Sequence, residues 1–209
     1  YCINGSCMCG IWGFVGANSE CRVPLSNAWC GLCSIADRGP DDWGLYADAE
    51  TYRKDTPPEQ TAQVAIGNRR LSILDLSAAG HQPMTDGNRW LVYNGEMYNY
   101  RELREELRSR GYEFESDTDT EVVLHAYDAF GQDCVERFRG MFAFAIWDPE
   151  AEQVFAARDR FGIKPFYYTS SDGLAFASEV KALLESNVAA PQLDLNGVDG
   201  FLTFGSVPA

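Results

Sequence analysis

Short apolar segments, bounded by glycine, proline or polar clusters, recur along most of the chain and favour β-strands. The first is the run Gly10–Gly16, which is apolar and punctuated by glycine and therefore predicts a buried strand. Alternation over residues 90–94 predicts another strand. The remaining predicted strands cover residues 64–67, 71–75, 141–147, 153–158, 166–169 and 174–177, and the last four form two hairpins.

Between the strands lie a few segments of helical character. Leu103 and Leu107 are spaced to share one face of a charged helix over residues 100–110. The polar run 116–121 is typical of a helix start and predicts a helix that extends to about Phe130. Further helices are predicted over residues 25–36, 178–186 and 195–204. Turns are predicted over residues 37–42, 78–83 and 94–99. Many antiparallel strands with grouped helices predict an α+β layered architecture.

Composition limits the classes of function that the chain can serve. The 209 residues are 45% hydrophobic, which is enough for one large domain with a real core. The formal net charge of −14 argues against a nucleic-acid partner and against an anionic membrane. No apolar run is long enough to span a bilayer. Seven cysteines without a signal-peptide pattern predict reduced thiols and a cytoplasmic location.

The pattern also predicts how the chain is divided. Residues 1–8 do not continue the strand pattern and are interpreted as a leader or a remnant of processing. Residues 9–190 form the predicted domain. Residues 191–209 are interpreted as the start of a connection to a second domain, because the helical stretch within them has no following element on which to pack.

A cysteine directly follows a methionine near the start of the chain. If translation begins at Met8 and this methionine is removed, Cys9 becomes the first residue and carries both a thiol and a free α-amine. The ordinary pKa of such an amine is ~7.7–8.0, so an appreciable fraction is free base near neutral pH. The amine could then activate the thiol as a nucleophile. The alternative is that Cys9 is a buried residue of the first strand.

Polar residues on several other segments suggest a pocket for an amino-acid amide. The guanidinium of Arg70 could hold an α-carboxylate by paired hydrogen bonds, and the carboxylates of Glu96 and Asp119 could hold an α-ammonium. Asn94 and Gly95 could stabilise the oxyanion that forms when a thiolate attacks an amide carbonyl. Each residue taken alone also fits a structural role in a surface ion pair, a turn or a helix cap.

A second cysteine pattern points to different chemistry. Cys30 and Cys33 form a CxxC spacing, and Cys21 lies nearby, which could suggest a metal or redox module. No second CxxC or paired histidine follows, and the flanking residues have the character of a helix. Packing is therefore the favoured interpretation of these cysteines.

Taken together, the ordered motifs closely resemble the N-terminal glutaminase domain of glutamine-hydrolysing asparagine synthetases, which are class II glutamine amidotransferases. The resemblance covers residues 8–209. The motifs are Met-Cys-Gly-Ile at 8–11, Arg-Gly-Pro-Asp at 38–41, Arg-Leu-Ser-Ile at 70–73, Gly-His-Gln-Pro-Met at 80–84, Asn-Gly-Glu-Met-Tyr-Asn at 94–99, Arg-Gly-Met-Phe-Ala-Phe-Ala at 139–145, Arg-Asp-Arg-Phe-Gly-Ile-Lys-Pro-Phe-Tyr-Tyr at 158–168 and Ala-Ser-Glu-Val-Lys-Ala-Leu at 177–183.

The resemblance implies the fold of N-terminal-nucleophile hydrolases, a four-layer αββα sandwich with two antiparallel sheets. It also implies that Cys9 attacks glutamine to form a thioester, with its own amine as the base. Asn94 and Gly95 would form the oxyanion hole.

The same resemblance implies which residues bind glutamine. The expected set is Arg70, Glu96 and Asp119, with the backbone around Leu71 and Ile73. Arg38 and Asp41 are expected to shape the loop over the nucleophile. Lys164 and Lys181 match the family, but the sequence gives no reason to assign them a catalytic role.

The chain departs from the family in two places. Asp37 stands where the family usually has a histidine, which strengthens the case for a self-contained Cys9. The pyrophosphate-binding Ser-Gly-Gly-x-Asp-Ser loop of the synthetase half is missing, so no cofactor is expected on this chain, and ATP and magnesium are expected only on a separate synthetase domain.

The expected function is hydrolysis of glutamine to glutamate and ammonia for amidation of a carboxylate, by default aspartate to asparagine. The expected partners are glutamine, the synthetase domain and a second copy of the chain in a homodimer. Three alternatives remain open. They are a class II amidotransferase of purine or glucosamine synthesis, a non-catalytic glutamine-binding scaffold in which residues 1–8 block Cys9, and the metal or redox module.

Overall fold

Two antiparallel sheets stack face to face in the computed structural model, which describes residues 8–53, 59–71 and 78–205. The strands are β1 Gly10–Gly16, β2 Val23–Pro24, β3 Asp42–Ala47, β4 Glu50–Tyr52, β5 Thr61–Ala62, β6 Val64–Arg70, β7 Met84–Thr85, β8 Trp90–Met97, β9 Gly140–Asp148, β10 Gln153–Arg158, β11 Tyr167–Thr169 and β12 Gly173–Ala177. The larger sheet has the order β11-β12-β1-β6-β3-β4, and the smaller has the order β10-β9-β8-β7. Strands β2 and β5 form a separate short ribbon.

Most of the helices lie on the outer faces of the two sheets. The helices are α1 Leu25–Ser34, α2 Tyr100–Ser109, α3 Asp119–Phe130, α4 Cys134–Arg137, α5 Val180–Glu185 and α6 Leu195–Phe204, with 3₁₀ turns at Ala78–Gly80 and Gly131–Asp133. The predicted helices are confirmed, with ends that lie within two residues of the expected positions. In the described part of the chain, no helix combines the length and the apolar character needed to cross a membrane.

Side-chain alternation along β1 separates two of the three hydrophobic cores. Ile11 points between the sheets, where it packs with Ile66 of β6 and Val92 of β8. Trp12 and Phe14 point to the opposite face, where α1 and α5 cover them. Because successive side chains of a strand alternate between faces, one apolar run supplies both cores at once.

The third core lies on the outer face of the smaller sheet. Leu91 and Phe144 project from β8 and β9 onto α2 and α3, where they meet Leu107 and Val123. The layers therefore run helix, sheet, sheet, helix, and the predicted α+β sandwich with two antiparallel sheets is confirmed.

One prediction about the smaller sheet is wrong in a way that affects the site. The sequence predicts that the strand ends at Asn94 and that residues 94–99 form a loop. Instead β8 continues to Met97, because residues 94–97 pair with β9 from Ala143 to Gly140. Pairing across a sheet depends on residues far along the chain, so the polar composition of this segment did not reveal it.

The larger sheet also differs from the expected elements. The predicted strand 64–67 extends to Arg70. Leu71 lies outside any strand, and the rest of the strand predicted over residues 71–75, including Ile73, lies outside the described residues. Asp42, expected in a turn, begins β3, whose hairpin with β4 the sequence analysis missed.

A buried arginine joins α2 to the segment before α3. Arg104 is only 6% exposed, although it lies on the most polar helix of the chain. Its guanidinium donates to the carbonyl oxygens of Ser116 and Thr118, both at 2.7 Å. Phe114 packs against the guanidinium plane. Arg104 thus holds the residues that lead into the first turn of α3.

We expect Arg104→Met to destabilise the fold by about 2 kcal/mol, because two buried carbonyl oxygens lose charged donors. Urea unfolding monitored by circular dichroism measures the change. The matched control is Arg108→Met on the same helix, where the exposed arginine pairs with Glu105 and lies over the ring of Phe114. That control is expected to change stability by less than about 0.5 kcal/mol. Equal effects of the two substitutions would contradict the buried role of Arg104.

Candidate active site

A cavity of about 350 Å³ lies where the start of β1, the end of β6, strand β8 and the start of α3 meet. Seven of the eight predicted site residues line it: Cys9, Arg70, Leu71, Asn94, Gly95, Glu96 and Asp119. The eighth, Ile73, lies outside the described residues. The fold therefore gathers into one place residues that are more than a hundred positions apart in sequence.

Cys9 occupies the position immediately before β1. Its thiol lies between the backbone N–H of Leu71, which donates to Sγ at 3.3 Å, and the carbonyl oxygen of the same residue, at 3.7 Å. Burial raises the pKa of the Cys9 thiol, and this effect outweighs the opposing effects of the Leu71 N–H and of the nearby charges of Arg70 and Lys164. A thiol with a raised pKa needs a base before it can attack.

Arg38 holds the backbone at the nucleophile. Its Nε donates to the carbonyl oxygen of Cys9 at 3.2 Å, while Nη1 pairs with Glu179 at 2.9 Å. The backbone N–H of Asp41 donates to the carbonyl oxygen of Arg70 at 3.2 Å. These contacts agree with the expectation that Arg38 and Asp41 shape the segment around the cysteine rather than react.

The edge of β8 that faces away from β9 presents its N–H groups toward the cavity wall. Tyr93 N–H donates to Oε1 of Gln82 at 2.7 Å, and Met97 N–H donates to Oδ2 of Asp119 at 2.8 Å. In an antiparallel ladder the N–H groups of alternate residues point to the same edge. The N–H of Gly95 therefore points to this edge as well, between the other two.

No side chain fits at Gly95. A Cβ atom there would lie 2.7 Å from the carbonyl oxygen of Met141 and equally close to the ring of Tyr93. Glycine therefore keeps the strand close to its neighbours and leaves the Gly95 N–H accessible from the cavity side.

Asn94 presents a buried amide that lacks a protein partner. The residue is 1% exposed, and its Nδ2 makes no hydrogen bond to any of the described residues. A buried donor without a partner is costly, so such groups commonly have a functional explanation. Asn94 lines the cavity, where a bound ligand could accept this bond.

Asp119 lies in the first turn of α3 but does not cap the helix. The cap is Thr118, whose hydroxyl accepts from the N–H of Glu121. The carboxylate of Asp119 accepts from the hydroxyl of Tyr93 at 2.9 Å as well as from the backbone of Met97. Burial raises the pKa of this carboxyl despite the two hydrogen bonds.

Arg70 enters the cavity from the end of β6. Its guanidinium packs against Gly80 so closely that a Cβ atom there would lie 2.1 Å from Nη2. Glu96 and Asp119 line the same cavity with carboxylates. A guanidinium and two carboxylates in a single cavity match the paired opposite charges of a free amino acid.

Gln82, Tyr93 and Lys164 line the cavity as well, although the sequence analysis assigned none of them a role in the site. Gln82 and Tyr93 hold the β8 edge and Asp119, as described above. The ammonium of Lys164 lies 2.8 Å from the sulfur of Met8, beside the nucleophile. All three residues belong to or adjoin ordered motifs of the sequence. The orientation of their side chains toward the cavity, however, depends on the packing of segments that are distant in sequence.

The other cysteines that the structure describes do not line this cavity. Cys30 and Cys33 are exposed on α1, and the Cys33 sulfur accepts from the guanidinium of Arg69 at 3.3 Å. Among the described residues, no three histidine, cysteine or acidic side chains are grouped so that they could hold a metal ion.

Sequence comparisons identify the family of the chain. A family model for the glutamine amidotransferase domain matches residues 8–209. Glutamine-hydrolysing asparagine synthetase 3 of Bacillus subtilis strain 168 is 36% identical over 203 residues, which are 95% of this chain and 31% of the relative. Glutamine-hydrolysing asparagine synthetase 1 of the same strain is 41% identical over 177 residues, which are 83% of this chain and 26% of that relative. The chain thus spans about a third or less of these relatives.

Structural comparison supports the same fold. The glutamine phosphoribosylpyrophosphate amidotransferase of Bacillus subtilis, solved with ADP and GMP, aligns with a TM-score of 0.67 at 22% identity. The alignment covers 86% of this chain and 43% of that one. The predicted resemblance to the glutaminase domain of asparagine synthetases and the predicted N-terminal-nucleophile hydrolase sandwich are both confirmed. The chain belongs to the glutamine amidotransferase domain family.

Proposed function

We propose that this domain hydrolyses glutamine to glutamate and ammonia through a thioester on Cys9. The observation that carries the proposal is the cavity itself, which joins a cysteine thiol, an unpartnered amide donor and an amino-acid-binding set of charges. The sequence relatives, which are named as glutamine-hydrolysing enzymes, support the same reaction.

Glutamine binds through the groups that do not react. The guanidinium of Arg70 pairs with the α-carboxylate, because two parallel hydrogen bonds match its planar shape. Glu96 and Asp119 receive the α-ammonium, and Leu71 lines the same cavity. Ile73, whose backbone is also expected to bind glutamine, lies outside the described residues. The ammonium also favours the ionised form of Asp119, whose pKa burial raises in the protein without ligand.

The chemistry then takes place at the side-chain amide of glutamine. With Cys9 as the first residue of the chain, its α-amine accepts the thiol proton, and the sulfur attacks the amide carbonyl carbon. The carbon–nitrogen bond breaks, and the leaving nitrogen takes the proton from the amine and departs as ammonia. Water hydrolyses the thioester, which gives glutamate and restores the thiol.

The negative charge that develops on the carbonyl oxygen needs donors in fixed positions. Nδ2 of Asn94 and the N–H of Gly95 supply them from adjacent residues of β8. Because both donors lie on a paired strand, they need little rearrangement during the reaction.

The ammonia is used for amidation of a carboxylate, with aspartate as the default acceptor. We propose that a synthetase domain with its own ATP and magnesium carries out that step, in a cytoplasmic protein that forms a homodimer. This chain itself is proposed to need no cofactor, nucleic acid or membrane. The alternative is a glutamine-binding scaffold, which applies if residues 1–8 stay attached and Cys9 never gains a free amine.

The first test is Cys9→Ala, which we expect to abolish glutamine hydrolysis while the protein stays folded. Ammonia release, coupled to a dehydrogenase assay, measures turnover. Mass mapping after exposure to a glutamine-like electrophile measures processing in the unmodified protein. An adduct on a peptide that begins at Cys9 supports the thioester mechanism. Turnover that persists in Cys9→Ala would refute the nucleophile, and an unmodified peptide that continues through Met8 would favour the scaffold.

We expect Arg70→Ala to raise KM for glutamine at least tenfold with a smaller effect on kcat, because this group anchors a part of the substrate that does not react. Steady-state kinetics measures both constants. The matched control is Arg69→Ala, since the neighbouring arginine points to the other face and donates to the carbonyl oxygen of Leu32. A normal KM in Arg70→Ala would exclude the proposed anchor.

We expect Asn94→Ala to lower kcat by about 10²-fold with little change in KM, because the lost donor acts on the transition state. Asn88→Ala, in the exposed turn that precedes β8, is the control and should leave kcat unchanged. Single-turnover kinetics with glutamine isolates the chemical step. If Asn94→Ala raises KM instead, the amide binds the ground state and does not form the oxyanion hole.

A further inference from the structure

Lys164 is a buried ammonium beside the nucleophile, and the steps described above give it no role. The residue is 5% exposed, and it lines the same cavity as Cys9. Its Nζ lies 2.8 Å from the sulfur of Met8, the residue joined to the Cys9 nitrogen. The charge of Lys164 also interacts with the Cys9 thiol across the cavity.

The loop that carries Lys164 is built around one carboxylate. Asp159 is only 5% exposed and follows β10 directly. Its two oxygens accept four backbone N–H bonds of 2.9–3.3 Å, from Phe142, Phe161, Ile163 and Lys164. These four bonds fix the backbone from which the Lys164 side chain extends.

Further contacts show that the loop directs the lysine inward. Nε of Arg158 donates to the carbonyl oxygen of Lys164 at 2.6 Å. The neighbouring side chains of Phe161 and Ile163 are exposed by 86% and 54%. The loop therefore leaves two large apolar groups in solvent and buries the cationic one, which is the reverse of the usual hydrophobic preference.

Burying an ammonium is costly unless it has strong partners. The one hydrogen-bond partner of the Lys164 ammonium that the described residues provide is the Met8 thioether, which is a weak acceptor. The charged and titratable groups that face it are Cys9, Arg38, Glu96 and Asp159. Among them Cys9 is the group whose protonation decides the proposed reaction.

We propose that Lys164 is a positioning residue that keeps the Cys9 α-amine neutral and stabilises the Cys9 thiolate. The proposal rests on the function proposed above. A cation disfavours the protonation of a neighbouring amine and favours a neighbouring thiolate. The ordinary pKa of an α-amine is ~7.7–8.0, so a decrease of about one unit raises the free-base fraction at pH 7 from roughly one seventh to more than half.

The test compares Lys164→Met, which removes the charge at similar length, with Lys164→Arg, which keeps it. The matched control is Lys181→Met, because Lys181 is half exposed and pairs with Asp37 and Glu179 away from the cavity. All are measured in the mature protein in which mass determination places Cys9 first. Thermal unfolding checks that each variant is folded.

We expect the acid limb of kcat/KM for glutamine to move to higher pH by about one unit in Lys164→Met. At pH 6.5 this shift lowers kcat/KM about sevenfold, and the loss disappears at high pH, with KM nearly unchanged. Lys164→Arg should restore the limb, and Lys181→Met should leave it in place. A profile that does not move, or a loss confined to KM, would overturn the proposal and assign Lys164 to substrate binding or to structure.

A second measurement does not depend on turnover. The rate of Cys9 alkylation by iodoacetamide, mapped to its peptide, should show a midpoint about one pH unit higher in Lys164→Met. If the mature protein without any substitution releases no ammonia from glutamine, the proposed function is refuted and the role of Lys164 is not. An unshifted alkylation midpoint would refute the role of Lys164 alone.

Discussion

The site depends on the edge of β8 that β9 does not pair with. Every N–H at this edge needs a partner, since a buried N–H without one is costly. A side chain from the segment before β7 satisfies Tyr93, and the first turn of α3 satisfies Met97. The N–H of Gly95, between them, faces the cavity. The same constraint that closes the sheet therefore creates a position for a substrate oxygen.

Hydrogen bonds to the backbone compensate the burial of several polar groups around this site. Arg104 donates two hydrogen bonds to the backbone that leads into α3. The carboxylate of Asp159 accepts hydrogen bonds from four backbone N–H groups. These bonds hold the two segments in place, although Nε of Arg104 has no hydrogen-bond partner among the described residues. The amide nitrogen of Asn94 also has no such partner, but it differs in lining the cavity. A bound ligand could therefore accept its hydrogen bond.

The nucleophile shows the same balance between burial and function. Burial raises the pKa of the Cys9 thiol, which keeps it protonated and unreactive until a base is available. Burial lowers the pKa of Lys164 and raises that of Asp119, so burial acts against the charged form of all three groups. The charges that surround each group in the cavity oppose this effect in part.

The sequence by itself determined the class of fold, the helices, most of the strands and seven of the residues that line the cavity. Those features are local: apolar runs, helix-start residues and ordered motifs such as that at 94–99 are present in the order of residues. Only the tertiary structure decided that Asn94, Gly95 and Glu96 belong to a strand, because β9 provides the partners for that strand. Only the tertiary structure turned Lys164 toward Cys9, because that direction depends on contacts between segments more than 150 residues apart.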